Sequence, residues 1–295
     1  MTPTWERDGI QLYLGDCCDV MPAINDGSVH AVVCDPPYAE ISRDYGRLTE
    51  SEWHSLMGIA VSECRRVLVS DGSAVFVIQP NSETVGKMRP WAFEFVAMIA
   101  TQWNLVQDAY WWNFTSPPTV HCHREYGLMR PSVKLCVWGG DPKCYRNQDD
   151  VLWRPSDSML AENVNDRALH RLPSGQSFRR GRVAETVSER GGTTPFNLLP
   201  IANANSTSSG GAYGHSAATP SGVCVWWVRY ISRHGNTILD PFMGSGTTAL
   251  ACIANDRKFI GIEKEPKYFE IAVKRIEAAL KERRDAMPLF MGMDE

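Results

Sequence analysis

Asp35-Pro36-Pro37-Tyr38 follows directly on an apolar run, Val29 to Cys34, and these four residue types suggest one kind of chemistry. An aspartate, two ring-locked prolines and an aromatic at the carboxyl end of a buried strand form a device for holding a planar ring that bears an amine. The lone pair of such an exocyclic amine, on adenine or cytosine, is delocalised into the ring. The nitrogen is therefore a weak nucleophile until two acceptors on its N–H groups draw density back. The Asp35 carboxylate supplies one acceptor and the Pro36 carbonyl the other; each proline fixes its own φ, and Pro37 also restricts the residue before it. A site of this kind works by positioning and by stabilising transition-state charge. Tyr38 can stack on the ring of a base that stands outside its duplex. The bland alternative for the tetrapeptide is a structural strand-to-loop turn.

A second loop built for close approach follows about two hundred residues later: Asp240-Pro241-Phe242-Met243-Gly244-Ser245-Gly246-Thr247-Thr248. Its spacing lacks the lysine that follows the second glycine in a triphosphate cradle. Gly244 and Gly246 instead read as positions where backbone meets an uncharged part of a cofactor, with Asp240 just below. Glu263 follows Asp240 by 23 residues. In a nucleoside site an acidic residue so placed accepts bonds from ribose hydroxyls.

These loops need strands that end side by side. Ile10 to Leu14, Val29 to Cys34, Ser73 to Ile78, Thr237 to Leu239 and Lys258 to Ile262 read as strands, with Asp71-Gly72 as a turn before the third. Thr49-Glu50-Ser51-Glu52 forms a capping box, and Trp53, Leu56, Met57, Ala60, Val61 and Cys64 recur at helical spacing behind it. Further helices are expected over Trp91 to Thr101, Val223 to Ser232, Thr247 to Asn255 and from Pro266 onward, where Phe269, Val273, Ile276 and Leu280 form one stripe. Leu105 to Trp112 and Ser132 to Trp138 are expected to pair antiparallel at the sheet edge. Trp103, Trp111, Trp112 and Trp138 in these edge strands read as core residues rather than base-stacking groups. Alternating strands and helices imply an α/β fold, a doubly wound and mostly parallel sheet, in which ligands collect beyond the carboxyl ends of strands. Asp16, Asp35, Asp240 and Glu263 all end expected strands, so the fold can bring them to one rim. From Gly139 to about Gly222 regularity fades into Ser, Asn and Gly-rich loops, too long for an ordinary connection. The organisation expected is 1–139, an inserted segment 140–212, and 213–295.

The chain has 295 residues, 43% of them hydrophobic, and a formal net charge of −4. The charge does not advertise a nucleic-acid partner, but from Arg167 through Arg182 five arginines occur with no acidic residue. That local field can engage phosphates, with Arg179, Arg180 and Arg182 the preferred contacts; a solvated loop with incidental arginines is the other reading. No apolar run reaches the ~18 residues of a membrane span. Met1 to Leu14 has polar and acidic residues where a signal peptide is apolar, so a cytoplasmic location is expected. Nine cysteines without Cys-x-x-Cys spacing read as buried free thiols. His121-Cys122-His123 is the only cluster that invites a metal; adjacent residues of an extended segment point to opposite faces, and no metal is expected.

With its tetrad ahead of its glycine loop, the sequence resembles the permuted, or beta-class, DNA amino-methyltransferases over about residues 10–139 and 213–280. The resemblance implies a Rossmann-like methyltransferase fold and S-adenosylmethionine as donor, with Asp240 to Gly246 around its methionine and Glu263 on its ribose. Asp16 in Leu14-Gly15-Asp16-Cys17 resembles the family residue that contacts the adenine amine of the cofactor; a carboxylate capping the following turn is the alternative. His215 to Pro220 resembles the family's His-Pro-x-Gln-Lys-Pro element but reads His-Ser-Ala-Ala-Thr-Pro, without the Gln or the Lys. The family's activity implies direct transfer to a base in double-stranded DNA, with the 140–212 segment reading the target. An Asp at the head of the tetrad favours adenine N6, since cytosine-N4 relatives more often begin with Ser. Cytosine N4, protein glutamine or RNA methylation, and a catalytically silent binding protein are the alternatives. Ring-carbon methylation would need a nucleophilic cysteine, a context Cys34 lacks. A homodimer and an accompanying restriction endonuclease stay open.

Overall fold

The computed structural model describes residues 1–43, 46–116, 122, 124–154, 169–171, 173–174, 177–179, 187, 189–203 and 219–286. His121, His123, Arg180, Arg182 and His215 lie outside the described residues. Met1–Arg146 together with Leu198–Glu295 form one compact unit, and Asn147–Asn197 form a second.

The larger unit is organised by ten strands: β1 (Trp5–Arg7), β2 (Ile10–Leu14), β3 (Val29–Cys34), β4 (Leu68–Ile78), β5 (Leu105–Gln107), β6 (Tyr110–Trp112), β7 (Val133–Gly140), β8 (Leu198–Pro200), β9 (Thr237–Asp240) and β10 (Lys258–Glu263). Their order across the sheet is β1-β2-β10-β9-β3-β4-β7-β6-β8, with β5 also paired to β7. β2, β10, β9, β3 and β4 run parallel, while β7 is antiparallel to β4 and to β6. Parallel neighbours are buried on both faces, which explains the nearly continuous apolar run of β3.

Side chains alternate across each strand. Val32, Cys34, Ala74, Phe76 and Ile78 join one core with α1 (Cys17–Val20), α2 (Glu50–Val67) and α3 (Trp91–Gln102). On the other face α4 (Ser221–Ile231) brings Trp227 to Trp138 at a ring separation of 5.6 Å. α5 (Thr247–Ala254) and α6 (Pro266–Ala286) complete the winding. α2 starts where its capping box says it should: Thr49 Oγ1 accepts from the Glu52 N–H and Glu52 Oε2 accepts from the Thr49 N–H. Its Trp53, Met57, Ala60, Val61, Cys64 and Val67 are buried.

Three local expectations are revised. The antiparallel pairing of the 105–112 and 133–140 segments is present, but the sheet continues past it: β8 runs parallel to β6 and forms the edge. Leu105 to Trp112 is two short strands rather than one, and Trp103 caps α3 instead of entering a strand. Asp71-Gly72 is a bulge inside β4 and not a turn; Leu68 to Ser73 is set against only Val29 to Ala31. Trp111 and Trp138 are core residues as expected, whereas Trp112 is exposed.

In the smaller unit, Leu169–Arg171 pairs antiparallel with Ser177–Arg179, so Arg179 ends a hairpin. Trp153 bridges Thr193 and packs its ring 5.7 Å from Phe196, and Arg190 pairs with Asp149. All nine cysteines are free, seven of them buried. Among the described residues no helix is long and apolar enough to cross a membrane.

Thr49→Ala removes one side of the α2 capping box and is expected to lower unfolding stability by about 1 kcal/mol. Urea unfolding followed by far-UV circular dichroism measures it, and an unchanged midpoint would show that the cap contributes nothing.

Candidate active site

The parallel strands β2, β3, β9 and β10 end at a common rim, so Asp16, Asp35, Asp240 and Glu263 open into one cleft of ≈ 700 Å³. Asp35, Pro36, Pro37 and Tyr38 line it, as do Asp16, Cys17, Asp240, Pro241, Phe242, Gly244, Ser245, Thr247, Thr248 and Glu263. Gly246 is set behind the loop: with φ of +81° it takes a left-handed turn, and a Cβ there would meet Ala272 at 3.1 Å. The turn is one that favours glycine, and the close approach packs the loop onto α6.

Side chains from other elements grip the tetrad backbone. Trp53 Nε1 of α2 donates to the Pro37 carbonyl at 2.5 Å, and Asn81 Nδ2 donates to the Ala39 carbonyl while accepting from Trp91 Nε1. The Asp35 carboxylate is engaged at both oxygens: Tyr38 Oη donates to Oδ1 at 2.6 Å and Thr219 Oγ1 donates to Oδ2 at 2.5 Å. Lys134 Nζ, from the start of β7, donates to Tyr38 Oη at 2.9 Å.

The glycine loop is held just as closely. Asp240, 3% exposed, accepts from the Phe242 N–H and from Thr248 Oγ1. Glu263 accepts from the N–H groups of Gly244 and Glu265. Arg275, buried on α6, donates through Nη1 to the carbonyl and the hydroxyl of Ser245. Asp16 Oδ1 accepts from the Cys18 N–H and so caps α1, which is the structural alternative for this carboxylate. Cys34 is 2% exposed and burial pushes its thiol well above the usual range, which removes it as a nucleophile. Asp16, Cys17 and Cys18 bring their ligand atoms within 4.8 Å of one another, yet burial also raises both thiols and disfavours the thiolates a metal would need.

Local pattern did not reveal Thr219, Lys134, Arg275, Gln79 or Asn113, of which all but Arg275 also line the cleft. Lys134 left a signal, a lone charge in an otherwise apolar strand. Thr219 is one hydroxyl among many, standing where the related six-residue element carries its Lys.

Three carboxylates gather at the glycine-loop end of the cleft. They supply acceptors for hydroxyl and amine groups and repel phosphate, so the donor set fits a phosphate-free nucleoside carrying a cationic centre. Burial pushes the Asp240 carboxyl from 3.8 up to about 7, and Glu263 is raised for the same reason. Below the unfolded value both states hold the Asp240 proton. As pH rises toward the folded value the unfolded chain has lost it while the native protein keeps it, so native stability declines through this window. Asp240→Asn is expected to abolish a wild-type loss on the order of 2 kcal/mol between about pH 5 and pH 8. Urea unfolding at both pH values checks this; identical pH dependence in the two proteins would contradict the buried-acid assignment.

Comparison with known proteins agrees with this geometry. Residues 29–274 match the DNA methylase family of N6 and N4 enzymes. The type II methyltransferase M.Cfr9I of Citrobacter freundii is 26% identical over 92% of this chain and 89% of its own length. The DNA adenine methyltransferase YhdJ of Escherichia coli K12 is 25% identical over 90% and 82%. The cytosine-N4-specific PvuII DNA methyltransferase superposes with a TM-score of 0.69 at 20% identity, covering 94% of this chain and 93% of that one. Methyltransferases of this fold have been solved with S-adenosylmethionine bound, and that molecule is the methyl donor here. A tetrad and a glycine loop on neighbouring strand ends, together with a family match over most of the chain, make this protein a member of the N6-adenine/N4-cytosine DNA methyltransferase family.

Proposed function

We propose that the chain methylates the exocyclic N6 amine of adenine in double-stranded DNA, with the base turned out of the duplex. The observation that carries this reading is adjacency: β3 and β9 are hydrogen-bonded neighbours, so the carboxylate that follows one and the glycine loop that follows the other face a single cleft. S-adenosylmethionine supplies an electrophilic methyl group on a sulfonium centre. Asp16 receives the adenine amine of that cofactor, Glu263 its ribose hydroxyls, and Asp240 to Thr248 surround its methionine portion. On the substrate side the Asp35 carboxylate and the Pro36 carbonyl accept the two amine N–H groups and turn the nitrogen lone pair outward. The ring of Tyr38 stacks on the base, and Pro36 and Pro37 keep the acceptors from drifting. Direct displacement requires no covalent enzyme intermediate, in keeping with the inert, buried Cys34.

Adenine is favoured by Asp at the head of the tetrad and by the likeness to YhdJ. Cytosine N4 is the second reading, favoured by the likeness to the cytosine-N4-specific PvuII enzyme. The inserted segment 140–212 is assigned to target recognition, with Arg179, Arg180 and Arg182 on phosphates.

Duplex DNA incubated with methyl-labelled cofactor should acquire label, and long-read sequencing of DNA from expressing cells should place it on N6 of adenine within one motif. Label on N4 of cytosine would replace the first reading by the second, and cofactor binding with no label would make the protein a silent relative. Asp35→Ala should abolish transfer while leaving cofactor affinity within a few-fold; full activity in that variant would remove the role given to Asp35. Alanine at Arg179, Arg180 and Arg182 should weaken DNA binding and flatten its salt dependence by about one unit of log–log slope for every phosphate released from an arginine. An unaltered salt slope would exclude these arginines from the interface.

A further inference from the structure

The amine-gripping carboxylate has a short stem, and the torsion that sets its plane is broad and roughly two-fold, so an unrestrained Asp35 would sweep its lone pairs through many directions. Two donors restrict it. Thr219, in the segment that leads into α4, donates to Oδ2, and Tyr38 donates to Oδ1. The phenol is in turn held by Lys134, whose ammonium lies 2.9 Å from Tyr38 Oη and 3.7 Å from Asp35 Oδ2. That ammonium also stands 4.6 Å from the centroid of the Trp111 ring and 5.2 Å from that of Tyr38.

Topology explains how Lys134 arrives there. β7 is antiparallel to β4, and Leu135 pairs with Ile78, the last residue of β4. The start of β7 therefore meets the rim formed by the ends of the parallel strands. The partner of Lys134 on β6 is Trp111. Only 18% of the lysine side chain is exposed, and a partly desolvated ammonium is a costly occupant unless charge and π-faces compensate it.

We propose that Lys134 and Thr219 are positioning residues for the Asp35 carboxylate, bracketing it from the β7 side and from the start of α4. Each carboxylate oxygen has two lone-pair sites, so the bracketing bonds leave acceptor capacity for a substrate N–H. This role rests on the amine-methylating reading of the cleft, in which Asp35 must point one way.

The test is single-turnover methyl transfer to unmethylated plasmid DNA by Lys134→Met, Lys134→Arg, Thr219→Val and Thr219→Ser, with cofactor and DNA affinities measured in parallel. Lys134→Met and Thr219→Val should transfer about 100-fold more slowly, the loss expected of slight misorientation. Cofactor and DNA affinities should stay within about two-fold, Thr219→Ser should recover most of the rate, and Lys134→Arg part of it. Wild-type rates in both disruptive variants would overturn the proposal, as would a loss traced wholly to weaker cofactor binding. A crystal structure of Thr219→Val reads the claim without turnover: a rotated Asp35 carboxylate plane supports it and an unmoved plane overturns it. Failure of the wild-type chain to methylate any DNA would instead sink the base-methylating reading.

Discussion

Two pairs of residues, Ala31 beside Ile238 and Val32 beside Leu239, join the stretch that ends in Asp35 to the stretch that ends in Asp240. Everything chemical in the cleft depends on that parallel pairing, because it converts a separation of about two hundred residues into one strand spacing of roughly 5 Å. A slip of one residue would turn each side chain of β3 to the opposite face. The apolar run of β3 resists it, since both faces are buried under helices and each face has its own partners.

The cleft is expensive to maintain. Asp240 is buried, Lys134 is largely buried, and Arg275 commits a guanidinium to a single serine. In each case the local bonds tell why the fold tolerates the cost. The hydroxyl of Thr248 and the Phe242 N–H satisfy Asp240, two aromatic faces and a carboxylate accompany Lys134, and the Ser245 carbonyl and hydroxyl meet Arg275. A buried polar group with partners rigidifies its surroundings, and here the surroundings are the loop and the tetrad.

Much of this was legible in the residues. The capping box of α2, the strands ending at Asp35, Asp240 and Glu263, and the gathering of four carboxylates at one rim follow from patterns contained within a dozen residues each. Edge strand β8 was not legible, because Leu198-Leu199-Pro200 is three residues long and acquires its identity only beside Tyr110–Trp112. The bulge at Leu68 to Ser73 looked like a turn, since Asp-Gly has the same local preference in both settings. Thr219 and Arg275 carry no periodicity or motif. They become meaningful when the chain returns to the cleft ahead of α4 and along α6, and such returns are tertiary facts.

Gly261 has a bearing on what the cleft can become. In the middle of β10 a Cβ at this position would lie 2.4 Å from Met243 Sδ and 2.5 Å from the Phe259 ring. The sheet is thus hollowed to bare backbone under the loop, and no smaller residue exists to deepen it. Variation in the size of the cavity must therefore come from its opposite wall, where longer or shorter side chains can still be exchanged.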